Sequence, residues 1–276
     1  MKISVIIPTY KPKEYIWECL HSLCVQTFSK DDFEVIIVLN GCDKPWKEDI
    51  ERYIDGNMCG LNVRLIQTDQ GGVSNARNVG LDNARGEFIS FIDDDDYVSS
   101  TYLNSLYLNA AGDGTVVLSN AVAFNDDLPD MLVPYPISDV YKQHSGRKKI
   151  NLLSKVRKYF SGPCMKLIPK SVIQNRRFDV RFKNGEDSLF MFLISDKIDT
   201  IKFSDSTAVY YRRNRQNSAV TSYRPFGEVL KNTMRLIGCY SKIFWFSPLK
   251  YSFCFYLTRV FAAFKTLINK LFLLSI

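Results

Sequence analysis

The feature that most limits what this chain can fold into is an alternation that runs through its first 125 residues. Short β-branched runs take turns with helix-spaced segments, and the links between them are brief and polar. Lys2–Ile7, Phe33–Leu39, Leu61–Gln67, Phe88–Ile92 and Thr115–Ala121 read as buried strands. Between them, Lys13–Phe28 carries Ile16, Leu20, Leu23 and Cys24 at helical spacing. A polar helix is expected after Pro45, whose fixed φ suits a first turn. Another should run from the Gly71-Gly72 turn to about Ala84, capped by Ser74, and another over Thr101–Ala110. Strand and helix in strict alternation imply an α/β domain with a mostly parallel sheet and helices on both faces. Such sheets bind ligands beyond the carboxyl ends of their strands.

Three polar clusters fall at those ends: Pro8-Thr9-Tyr10, Asn40-Gly41 and the run Asp93-Asp94-Asp95-Asp96. In extended backbone Asp93 and Asp95 would share one face and Asp94 and Asp96 the other. Crowded carboxylates repel, and a hard cation such as Mg²⁺ or Mn²⁺ relieves the repulsion. Such ions take few protein carboxylates and complete their shell with substrate phosphates. A solvated acidic turn ahead of the next helix is the plainer alternative. The position at the ligand edge favours the metal.

Charge divides the chain. Residues 1–140 hold 10 Lys+Arg against 22 Asp+Glu, and residues 141–276 hold 26 against 7, so the net charges are −12 and +19. An acidic half suits a cation, and a basic half suits phosphates or an anionic membrane. Seven cysteines, none in a CxxC, point to reduced thiols and a cytoplasmic setting. The N-terminus starts on a strand with no signal-peptide pattern, and charges interrupt every long apolar stretch, so a spanning helix is not expected. After about residue 125 the alternation fails. Asp126–Ser145 reads as a long loop, Met165–Ile168 and Ile201–Tyr211 as strands, and Asp187–Ile194 as a short helix.

Three stretches carry a family resemblance. They are Ser4-Val5-Ile6-Ile7-Pro8-Thr9-Tyr10, then Gly71-Gly72-Val73-Ser74-Asn75-Ala76-Arg77-Asn78-Val79-Gly80, then Ala84-Arg85-Gly86-Glu87-Phe88 through Asp96. In that order and spacing the chain resembles glycosyltransferase family 2, the inverting enzymes of GT-A fold. The resemblance implies a Rossmann-like, mostly parallel central sheet with a C-terminal helical extension. Residues 1–125 would form the nucleotide-sugar-binding half, 126–225 the acceptor-binding half, and 226–276 a basic amphipathic tail. It places Pro8, Thr9 and Tyr10 beside the nucleotide base. Asn40 stands where the family usually has a base-reading Asp; an amide can still donate and accept. Arg77 would lie near the diphosphate, or else pair with the aspartates. The family's Asp-x-Asp maps to Asp93 and Asp95 as metal ligands for Mn²⁺ or Mg²⁺, with Asp94 at the ribose. Gly185-Glu186-Asp187 resembles the family's Glu-Asp motif, with Asp187 as general base. The alternative is that Glu186 and Asp187 merely favour a helix N-terminus. Tyr210-Tyr211-Arg212-Arg213 and Gln216-Asn217-Ser218 resemble a flexible segment that closes over the donor. In it Arg212, Arg213 or Arg215 would meet the diphosphate.

The implied reaction is a one-step displacement from a nucleotide-sugar, with UDP-sugar the usual donor, to a glycan or lipid-linked acceptor in cell-surface polysaccharide synthesis. Transfer to a polyprenyl phosphate and a non-catalytic nucleotide-sugar-binding module are the alternatives. A sugar-1-phosphate nucleotidyltransferase is disfavoured because Pro8-Thr9-Tyr10-Lys11 lacks its Gly-rich signature, and no nucleic-acid-binding motif is present. Residues 229–276 contain seven Lys+Arg and no Asp or Glu. From Pro248 on, Leu249, Phe253, Tyr256, Leu257, Val260, Phe264, Leu267 and Leu271 recur at spacings of three and four. Ser252, Thr258, Arg259, Lys265, Thr266, Asn269 and Lys270 fall opposite. That pattern predicts a helix lying on an anionic membrane, peripheral to its inner face, or else packed on the domain or a partner. Truncation after about Gly238 is expected to release the membrane and spare the fold.

Overall fold

The computed structural model describes residues 1–147, 150, 155–215 and 225–273, with side chains up to residue 269. The expected alternation is present: β1 (Ile3–Thr9), α1 (Tyr15–Cys24), β2 (Phe33–Asn40), α2 (Trp46–Asn57), β3 (Asn62–Thr68), α3 (Val73–Asn83) and β4 (Phe88–Phe91). There follow β5 (Tyr97–Val98), α4 (Tyr102–Leu108), β6 (Thr115–Leu118), β7 (Asn120–Asn125), β8 (Leu128–Val133) and α5 (Pro136–His144). Then come β9 (Lys166–Pro169), α6 (Lys170–Ile173), α7 (Glu186–Leu193), β10 (Thr200–Phe203), β11 (Val209–Asn214), α8 (Phe226–Phe246) and α9 (Phe253–Leu273).

The main sheet has the order β10-β6-β9-β4-β1-β2-β3. β4, β1, β2 and β3 are mutually parallel, and β9 runs antiparallel between β4 and β6. β1 and β2 are buried on both faces, which is why they read as unbroken apolar runs. Buried Glu34 interrupts that run for a reason. Its carboxylate accepts hydrogen bonds from Ser4 Oγ, Arg64 and the Arg85 N–H, and Ser4 Oγ accepts from the Gly86 N–H. Burial opposes ionisation at Glu34, but those donors hold its carboxyl below the usual range. This network fixes the Ala84–Glu87 turn that delivers β4 to the sheet.

Several expectations are corrected. The helix after Gly71-Gly72 is capped by Gly72, at φ +116°, and not by Ser74, whose hydroxyl is buried without a partner. Asp126–Ser145 is no loop. It forms β8, antiparallel to β7 in a second sheet of order β5-β11-β7-β8, and then α5. α5 buries Ile137, Val140, Tyr141 and His144, an i, i+3, i+4, i+7 stripe. The expected strand Thr115–Ala121 splits at Ser119, so that β6 serves the main sheet and β7 the second.

The C-terminal region is a hairpin of two helices, where one amphipathic helix was expected. It does not hang free. Tyr240, Phe244 and Phe255 belong to the hydrophobic core, and Phe255 packs against Phe192 and Phe160 with ring centroids 5.7 and 6.4 Å apart. Arg259, expected on the polar face, is 6% exposed and donates to the Arg157 carbonyl and Ser161 Oγ. A cut after Gly238 would therefore remove core residues and not spare the fold. Among the described residues no helix is long and apolar enough to cross a membrane. All seven cysteines are free thiols.

Candidate active site

The carboxyl ends of β1, β2, β3 and β4 share one edge because the strands are parallel. At the end of β2, Gly41 has φ +64°, and a Cβ there would lie 2.8 Å from Gly71 Cα. Only glycine permits this approach. Asn40 is 3% exposed; its amide donates to the Thr9 carbonyl at 2.6 Å and accepts from the Gly72 N–H at 2.8 Å. Asn40 thus ties three loops together, and both ends of its amide are engaged by backbone. Tyr10 is the aromatic left open at this edge, 54% exposed, with Lys11 Nζ 5.4 Å from its ring centroid.

The four aspartates do not continue β4 as an extended strand. They form a turn in which the Asp96 N–H donates to the Asp93 carbonyl, so the expected two-and-two division of faces is replaced by four separate directions. Asp96 is 5% exposed and accepts from Tyr210 Oη at 2.7 Å and the Arg213 N–H at 2.8 Å. It is a structural anchor. Asp94 accepts from the Thr9 hydroxyl, which links the turn to β1. Burial pushes the Asp94 carboxyl up to about 7, against the Thr9 hydrogen bond, and neighbouring Asp95 and Asp93 add to the rise. Asp95 is likewise raised by burial and by Asp93, and pairs with Arg215 Nε at 2.5 Å. Asp93 pairs with Arg77.

Arg77 is the hinge of the site. Its guanidinium is 3% exposed and bridges Asp93 Oδ1 at 2.9 Å and Asp187 Oδ1 at 2.6 Å, residues 94 apart in sequence. Burial alone would favour losing the proton, but the two carboxylates overcome it and hold the guanidinium charged. The Arg77 ring neighbour is Phe178, 5.4 Å from the guanidinium carbon, stacked in turn on Phe190 of α7. Asp187 sits in the first turn of α7, where the helix dipole favours an anion. Burial raises its pKa and Arg77 opposes the rise. Glu186, 7% exposed, has one carboxylate oxygen buried without a partner, and burial pushes it up to about 7.

The segment Tyr210–Arg213, expected to be flexible, is part of β11. Tyr210 is fully buried. Arg213 holds the aspartate turn by donating to the Asp95 carbonyl, and its other nitrogens pair with Asp126 and Glu18. Arg212 lies over the Tyr135 ring at 5.4 Å. Arg215 alone of the three pairs with a carboxylate expected to bind metal. Gln216-Asn217-Ser218 lie outside the described residues. Lys166 belongs to the stretch Gly162–Leu167, which also resembles a family landmark but carries no expected role. It is wholly buried in β9, donates to the Gly162 and Cys164 carbonyls at 2.7 and 2.5 Å, and is pushed down to about 7 by burial.

Oxygen-only donors on a crowded acidic turn are the chemistry a hard cation takes. Among the described residues no group of three or more His, Cys, Asp or Glu side chains is arranged to hold an ion. Asp93 and Asp95 are the candidate oxygen donors on this turn, and Asp94 and Asp95 are raised chiefly by burial, with neighbouring carboxylates adding to the rise.

Comparison with known proteins agrees with this fold. The family described as glycosyl transferase family 2 matches residues 4–177. The chain is 29% identical over 240 residues to the poly(ribitol-phosphate) β-N-acetylglucosaminyltransferase TarS of Staphylococcus aureus, which covers 86% of this chain and 40% of TarS. It thus spans about two fifths of that relative's length. A crystal structure of TarS residues 1–349 with UDP-GlcNAc superposes with a TM-score of 0.69 at 26% identity, over 87% of this chain and 67% of that one. A Pyrobaculum calidifontis mannosyltransferase, solved with GDP-Man and Mn²⁺, shares the fold with a TM-score of 0.60 at 18% identity, over 97% and 75% of the two chains.

Proposed function

The chain belongs to glycosyltransferase family 2 and has the GT-A fold, and from that premise we propose that it moves a sugar, with inversion, from a UDP-sugar to a glycan or lipid-linked acceptor of a cell-surface polysaccharide. The observation that carries this reading is the Arg77 bridge between Asp93 and Asp187. It sets a candidate donor carboxylate and a candidate base on either side of one buried cation.

Residues 1–125 would hold the donor. Tyr10 would offer its open ring to the base, with Pro8 and Thr9 shaping the floor and Asn40 holding the loops around it. Asp94 would meet the ribose. Asp93 and Asp95 would hold Mn²⁺ or Mg²⁺, which when bound supplies positive charge to the leaving diphosphate. Arg215, paired with Asp95, and Arg212, over the Tyr135 ring, would add positive charge near the aspartate turn. Residues 126–225 would bind the acceptor. Asp187 takes the proton from the acceptor hydroxyl as that oxygen attacks the anomeric carbon, and Glu186 supports it. The nucleoside diphosphate leaves from the opposite face, so configuration inverts. Residues 226–276 would bring the protein to the inner face of an anionic membrane, as a peripheral cytoplasmic protein.

The test is UDP release from a panel of UDP-sugars with Mn²⁺ and a polyol or lipid-linked acceptor, repeated with chelator. Release that needs both metal and Asp187 is expected. Acceptor-dependent transfer that persists in Asp187→Asn would remove the base, and silence across UDP- and GDP-sugars would favour a binding module.

A further inference from the structure

The hairpin has two faces, and the structure accounts for only one of them. The inner face grips the catalytic body around Asp187. Leu236 lies where a Cβ on Gly185 would stand, 2.5 Å away, so α8 and the loop before Asp187 meet without a gap. Asn232 donates to the Asn184 carbonyl at 3.1 Å, Tyr240 Oη bonds Ser188 Oγ at 2.7 Å, and Tyr251 Oη donates to the Leu193 carbonyl at 3.0 Å. From α9, Arg259 holds the segment Lys155–Ser161, which leads into Gly162 beside Asp187.

Away from that face the hairpin exposes large apolar groups. At the hairpin's tip, Trp245 is 66% exposed, Phe246 89%, Leu249 101% and Phe253 51%. Such a cluster on a folded surface marks an interaction site. Exposed Lys242 and Lys250 flank it, and no acidic residue occurs from Val229 to the end of the sequence. Aromatic side chains beside lysines, on a stretch of chain without acid after Glu228, match the boundary of an anionic bilayer, where rings sit among headgroups and ammonium groups meet phosphate.

We propose that the tip of the α8–α9 hairpin is a membrane-docking surface for anionic phospholipid, built on Trp245, Phe246, Leu249, Lys242 and Lys250. It deepens the reading of the chain as a glycosyltransferase at a membrane, and rests on it. Contacts run in order along α7, from Asn232 at its start to Tyr251 at its end. The tip therefore lies at the carboxyl end of α7, and Asp187 at the other end of an eight-residue helix about 12 Å long. Docking there holds the base within a short reach of the lipid surface while the nucleotide edge stays in water. An acceptor carried on a lipid suits that distance.

The test is sedimentation of the full chain with vesicles of phosphatidylcholine alone or mixed with phosphatidylglycerol. Wild type should sediment with the mixed vesicles and not the neutral ones. The combined variant Trp245→Ser, Phe246→Ser, Leu249→Ser should lose at least about tenfold in binding, with unchanged Tm and unchanged UDP release from donor hydrolysis. Lys242→Glu with Lys250→Glu should lose the preference for phosphatidylglycerol. Undiminished binding by the apolar variant overturns the proposal. So does a wild-type dimer in light scattering that the same variant splits, with no vesicle binding by either, because the face then belongs to a second copy. Sedimentation needs no turnover, so its outcome stands apart from whether the chain transfers sugar.

Discussion

Replacing Phe255 by alanine tests whether the C-terminal hairpin is part of the catalytic body. Phe255 is fully buried, with Phe192 and Phe160 against its ring and the Arg259 guanidinium 4.5 Å from its centroid. A phenylalanine buries about 150–250 Å². At about 25 cal/mol per Å² the lost transfer energy is about 4–6 kcal/mol. Partial collapse around the cavity brings Phe→Ala costs to about 3–5 kcal/mol. For a chain of this size each kcal/mol moves Tm by about 2–4 °C, so a loss of 4 kcal/mol lowers it by about 8–16 °C. Thermal unfolding followed by far-UV circular dichroism reads this directly. Phe261→Ala on the same helix, at a site 66% exposed, is the control, and it should shift stability by no more than about 0.5 kcal/mol. Refutation would be a main transition unmoved in Phe255→Ala, with only a small separate transition shifting. The hairpin would then melt by itself and hold nothing near Asp187.

Four further outcomes are expected. Asp187→Asn should keep donor affinity, measured by calorimetry, and lose transfer by a factor of at least about 10³; near-normal turnover would exclude Asp187 as the base. Asp95→Ala should weaken donor binding in Mn²⁺ and remove the difference that chelator makes; equal affinity with and without chelator in wild type would count against the metal assignment. Gly185→Ala meets both the φ of +88° and Leu236, so a loss of about 2–4 kcal/mol in urea unfolding is expected, and a neutral effect would mean that α8 is loosely seated. Lys166 has a folded pKa of about 7, below its unfolded value of 10.5. Between those values the unfolded chain binds the extra proton, so stability contributed by this group rises with pH and its burial cost is felt in full below 7. From pH 7 to pH 9 wild type should gain about 2 kcal/mol relative to Lys166→Met, and parallel pH profiles of the two proteins would refute the shift.

The parallel core was readable because β1 and β2 are buried on both faces and leave unbroken Ile and Val runs. The second sheet was not. β8 lies at its edge and leaves Leu128, Met131 and Leu132 more than half exposed, so no in-and-out alternation marks it. α5 did carry a signal in the spacing of Ile137, Val140, Tyr141 and His144, and Pro136 is tolerated in its first turn. At the site, the motifs named the residues that converge, Arg77, Asp93, Asp94, Asp95 and Asp187. They did not give their directions, because a turn of four like residues has no period from which to read them. Asn40 shows the same limit: its type fits a base reader, and only its two backbone partners reveal a tie. Arg259 looked like surface charge because its partners are a carbonyl and a hydroxyl from a segment 98 or more residues earlier.

The Arg77–Asp187 contact spans 110 residues, and that separation bears on how the protein is made. At about 5–20 residues per second, synthesis needs roughly 6–22 s to deliver Asp187 after Arg77 has emerged. Throughout that interval the guanidinium has only one of its two carboxylates. Closing so long a loop carries an entropic cost, and the Asp187 half of the bridge is the later one to become available. No N-terminal fragment ending before residue 187 can hold the two sides in register.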